Sequence, residues 1–439
     1  MTTELLSAIL DGGLRHPHFF EGRILTATDL SVEREAHRAR QRRLGRALGS
    51  GIVSGLEVTI RDRGAGGTVP VLGITAGLAL AADGDSLELA ADIDLCLARE
   101  LEHEPPPDSP FHACAPPSTK PVAVGEGVYL LLLGPAAGFR ERAVMSGLGD
   151  PKAGAGCGSR WALEGVSFRL LPYDPLAEEL LPATHRDQLA DLLTDAATPA
   201  RRSRLRNHLA HLFLASAAQA AVADDPLAAL AGETPTNPIA GLRQRGEIAD
   251  CEVPVALVHW TLSGLHFADP WAVRRRPVPS LQHAAAPMLS GDAFRADAEA
   301  RVLQFQQHLA ELLDEAAAPT SLVAREHFRF LPAAGLLPVA GSDRPRGLSV
   351  PAFFADRTVR GPLFTEGARV APLFDRSYAF PAIDTESDEM VWLYSIRENR
   401  QRVPERPAVI FTSGFMPLFG DARYDINRWS FGNFSSFLV

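Results

Sequence analysis

Seven prolines fall within residues 103–121 (HEPPPDSPFHACAPPSTKP), and no regular element can run through that stretch. Proline lacks a backbone donor and has a fixed φ, so it ends helices and central strands alike. The chain is therefore expected to fold in pieces joined by an irregular link. At roughly 100–200 residues per domain, 439 residues suggest two to four domains.

N-terminal to that link, HPHFFEGRILTATDL leads into a helix expected from Asp29 to Leu48, with Thr28 or Asp29 as N-cap. Arg34, Arg38, Arg42 and Arg46 recur every four residues along it and make one basic stripe. Leu30, Val32, Ala36, Leu44, Ala47 and Leu48 occupy the other side of the same helical wheel. Gly49 and Gly51 end the helix. GIVSGLEVTI then reads as a strand, and ITAGLALAADGDSLELAADIDLCL as two strands joined at Asp83-Gly84.

Beyond the link, GVYLLLLG and WALEGVSFRLLPY read as strands around a glycine-rich loop, SGLGDPKAGAGCGS. From Leu176 to Leu230 the pattern is helical, with Leu205, Leu209, Leu212 and Phe213 on one face. Strand character returns in CEVPVALVHWTLSGLHFAD. A helix over 292–317 carries Val302, Phe305, Leu309, Leu312 and Ala316 at heptad-like steps, which suits core packing better than a coiled coil over so few heptads. MVWLYSI and AVIFTS are the clear later strands. The expected organisation is multi-domain α+β. An N-terminal helix and β-hairpin unit (1–102) precedes a central β domain (122–175 and 248–280) with a helical insertion (176–247). A helical segment (281–330) and a C-terminal β and irregular region (331–439) complete it. In the tail, Trp429, Phe431, Phe434 and Phe437 either enter the core or meet a neighbouring subunit.

The composition excludes several classes. With 43 basic and 53 acidic side chains the net charge is −10, which argues against a nucleic-acid partner. All but Lys120 and Lys152 of the basic residues are arginine, which suits bidentate pairing with carboxylates at interfaces. No apolar run approaches the ~20 residues of a spanning helix, and the N-terminus lacks a basic secretory n-region. The four cysteines (Cys96, Cys114, Cys157, Cys251) form no CxxC and read as small apolar residues in a reducing compartment.

No motif carries chemistry. His16 with His18, and His112 with Cys114, fall short of the two close ligand pairs of a structural zinc site. His208 and His211 share a helix face without an HExxH motif. GIVSG lacks the glycine of a nucleophile elbow. Lys152 precedes the last glycines of its loop instead of following them, so the loop is no phosphate cradle. Asp83-Gly84-Asp85 with Glu88 lacks calcium-loop spacing and suits a hairpin turn. Expected are no catalytic residue, no cofactor and no metal. The arginine stripe is either a solvated helix face or a docking face for an acidic neighbour.

The string HFFEGRILTATDLSVEREAHRARQRRLGRALGSGIVSGLEV resembles a pattern near the N-termini of proteins from phage-tail-like gene clusters. In that pattern an aromatic precedes G-[RK]-[LI]-L-T-x-x-D, an arginine-rich helix and G-[IV]-V-x-G-L-x-V. ITAGLALAADGDSLEL, CEVPVALVHWTLSGLHFADPWAVRRR, HFRFLPAAGLLPV and WLYSIREN with AVIFTSGFMPLFGDARYDINRW are similar to the same group. Where the pattern often has tryptophan or histidine before GIVSG, this chain has Gly49-Ser50. The resemblance implies a non-enzymatic structural subunit of a contractile injection system, assembled in the cytoplasm in several copies with other subunits of the particle. A baseplate or peripheral shell position is the first expectation. A cap or cap adaptor at the opposite end, and a fibre-anchoring or receptor-binding module, are alternatives; a cell-wall glycan hydrolase is a more distant one. Arg34, Arg38, Arg42 and Arg46 and the tail aromatics are the expected interface.

Overall fold

The computed structural model of the protein describes residues 5, 10, 12–64, 69–97, 126–144, 157–177, 183–214, 237–261, 263–279, 292–355, 357–378 and 380–414. Helices and strands are both abundant, and the strands form several small sheets, an α+β architecture.

Helix α1 (Ala27–Leu48) starts two residues earlier than the sequence pattern suggests. Thr26 is the N-cap: its hydroxyl accepts from the Asp29 N–H while the Asp29 carboxylate accepts from the Thr26 N–H. That reciprocal pair satisfies two N-terminal donors, so Thr28 and Asp29 lie inside the helix rather than at its cap. Gly49, at φ 86°, ends it.

Six short strands follow: β1 (Gly51–Gly55), β2 (Val58–Asp62), β3 (Val71–Ile74), β4 (Gly77–Leu80), β5 (Ser86–Leu89) and β6 (Ile93–Cys96). The stretch read as two strands holds three, β4, β5 and β6, after the last residue of β3, and the single strand read in GIVSGLEVTI is two, β1 and β2. β4 and β5 do pair around the Asp83-Gly84 turn, and β1 joins them. β3 and β6 belong to a second sheet with β2. Short turns switch the chain between sheets, where Thr75 N–H bonds Glu57 and Ala76 N–H bonds the Asp92 carboxylate.

The central sheet has the order β10-β9-β7-β8, built from β7 (Gly127–Val144), β8 (Cys157–Tyr173), β9 (Val253–Thr261) and β10 (Gly264–Asp269). Its two faces carry different cores. Tyr129, Leu131 and Leu133 point with Val255 and Val258 into the same cluster as Leu56, Leu72 and Ile74 of the N-terminal sheets. Val128, Leu130 and Leu132 point the other way, against helices α2 (Ala183–Thr194) and α3 (Pro199–Leu214). Leu205, Leu209, Leu212 and Phe213 of α3 are all buried there, as one helix face should be.

Two short helices follow in sequence, α4 (Pro238–Gln244) and α5 (Pro270–Val273), then the long α6 (Asp292–Glu315). Phe305, Leu309 and Leu312 of α6 are buried with Phe328, Leu337 and Phe411, so its heptad-like row is a core seam. The C-terminal sheet takes strands Ala334–Pro338, Ala408–Thr412, Val391–Ile396 and Val359–Thr365 in that order, the last pair parallel.

Cys96 is exposed and free, whereas Cys251 is buried and disulfide-bonded. The expectation that all four cysteines are reduced apolar fillers is corrected at that position. Among the described residues no helix is long and apolar enough to cross a membrane.

Candidate docking face

The arginines of α1 do not act as one set. Asp85, in the hairpin turn between β4 and β5, takes two of them. Arg42 binds it in a fork, Nε to Oδ1 at 2.8 Å and Nη2 to Oδ2 at 2.7 Å, while Arg38 Nη2 reaches Oδ2 at 2.7 Å. Burial works to raise the Asp85 carboxyl, and the Arg42 and Arg38 guanidiniums outweigh it, leaving the group below its ordinary range. Burial raises the neighbouring Asp83, whose carboxylate accepts from the Asp85 N–H at 3.0 Å. The turn that superficially suggested a calcium loop is thus an internal guanidinium site.

Two glycines let α1 come this close. A Cβ on Gly45 would lie 2.1 Å from the Gly84 carbonyl oxygen, and one on Gly84 would lie 2.0 Å from that of Arg42. Gly84 also sits at φ 91°, where a side chain is strained. At the end of the helix a Gly49 Cβ would meet the Val278 carbonyl at 1.7 Å, and Ile52 N–H bonds Arg275 at 2.8 Å. The helix is pinned by backbone contact. The sequence signal was a glycine inside an otherwise good helix, which costs about 1 kcal/mol against alanine and asks for a packing reason.

Arg34 is exposed and ion-paired to Glu164 of β8. Arg46 is exposed and has no ion-pair partner among the described residues; the same holds for Arg40 and Arg43. The docking expectation therefore divides. Arg38 and Arg42 are committed inside the chain, whereas Arg40, Arg43 and Arg46 are exposed and unpaired among the described residues.

The apolar set of the wheel divides: Ala36 is buried and Val32 half-buried, while its leucines face outward. Leu30, Leu44 and Leu48 are 57%, 69% and 57% exposed. With Arg34, His37 and Gln41 they form a row at steps of four and three along one side of α1. The lead-in adds Phe19, Phe20, Ile24 and Leu25, all exposed. Single exposed apolar side chains need no explanation, but a row of them on one helix, flanked by Arg40, has the make-up of an interface. Trp429, Phe431, Phe434 and Phe437 lie outside the described residues.

The closest approach to an enzyme-like arrangement is elsewhere. A cavity of about 410 Å³ between α3, α6 and β10 is lined by Ser203, Arg206, His266, His308 and Glu311, among others. The Ser203 hydroxyl lies 2.8 Å from His308 Nε2 and donates to the His327 carbonyl at 3.1 Å. With that donation in place, the His308 Nε2–H is the donor to Ser203, the reverse of what a general base needs. Burial holds His308 well below the usual histidine range, so it stays neutral. Arg206 binds Asp269 at 2.7 Å and also Glu311, and Gln304 completes Asp269. These groups tie α3, α5 and α6 together.

His208 and His211 pack on Phe330, the second in a parallel stack with ring centres 3.6 Å apart. Among the described residues no three metal-ligating side chains converge. His112, Cys114 and Lys152 lie outside the described residues. No protein-family model matches the chain, and no curated protein is significantly similar to it.

Proposed function

We propose that this protein is a non-enzymatic structural subunit of a phage-tail-like contractile injection particle, seated at the baseplate or its peripheral shell. In this reading the exposed side of α1 docks it onto a neighbouring subunit. The sequence motifs supply the particle class. The observation that carries the docking role is the outward row Leu30, Leu44 and Leu48 on a helix whose inner arginines are already paired with Asp85.

The partner surface is apolar, with an acidic group where Arg40 flanks Leu44. A cap-adaptor position uses the same face and differs only in the neighbour.

The test replaces Leu44 and Leu48 together by glutamate. Both are exposed, so the variant should fold with an unchanged melting temperature. It should be depleted at least ~10-fold from purified particles, as expected when contacts worth over 1.4 kcal/mol are lost. Incorporation at the wild-type level would remove the docking role, and absence of the wild-type chain from the particle would remove the whole reading. Arg38 and Arg42 are unsuitable targets, because changing them strands Asp85 in a nearly buried site.

A further inference from the structure

We draw no further inference here: the strongest candidate, the polar cavity between α3, α6 and β10, has its buried guanidinium Arg206 already paired with Asp269 and Glu311 and its Arg63 paired with Glu315, and nothing in the structure shows what would fill it.

Discussion

Burial pulls His208 down to about 3, with Arg204 and Arg329 adding to it, and pulls His259 down to about 4, with His266 adding to it. His308 is held well below its ordinary value, again chiefly by burial. All three are neutral when folded and free to protonate near pH 6.5 when unfolded. Their contribution to stability is therefore complete above that value and declines as pH falls. Between pH 7 and pH 5 each should withdraw about 2 kcal/mol. Urea unfolding at the two pH values should show a drop of several kcal/mol, and equal stability would contradict the neutral, buried assignment. Asp85 responds to acid later, because its two arginines keep it ionised below the usual carboxylate range.

At the scale of elements, α1 shows what periodicity can and cannot carry. The four-residue arginine repeat, the glycine stop and the Asp83-Gly84 turn were all legible, because each depends on neighbours in sequence. Which side of the helix faces inward was not, because Asp85 reaches it from 43 and 47 residues away. The carboxylate of Asp85 draws Arg38 and Arg42 inward and leaves Leu30, Leu44 and Leu48 in water. The far part of the β7–β8 hairpin, past Leu133, was missed for a similar reason: its glycines and alanines lower the strand signal, and pairing with the opposite strand supplies it instead. Gly45 gives a sharp check on the orientation. In a free helix Gly45→Ala would add about 1 kcal/mol. Here the new methyl would press on the Gly84 carbonyl, so the variant should lose about 1–3 kcal/mol, as overpacked sites do. A higher melting temperature in that variant would mean α1 is not seated on the hairpin.

Across the whole molecule, the α+β layout was legible from the alternation of strand-like and helical stretches, and the shared core was not. Leu56, Leu72 and Ile74 are fully or almost fully buried, and the central sheet that covers them includes Val255 and Val258. Those partners stand ~200 residues further along, so at 5–20 residues per second they are made about 10–40 s later. Throughout that interval the N-terminal strands lack the part of their covering that β9 supplies. A fragment of residues 1–102 should accordingly give no cooperative thermal transition, and a sharp one would show that these strands close among themselves. For the growing chain the consequence is one of timing: its first apolar surface waits on its middle, and the cell must shield that surface for tens of seconds in every copy it makes.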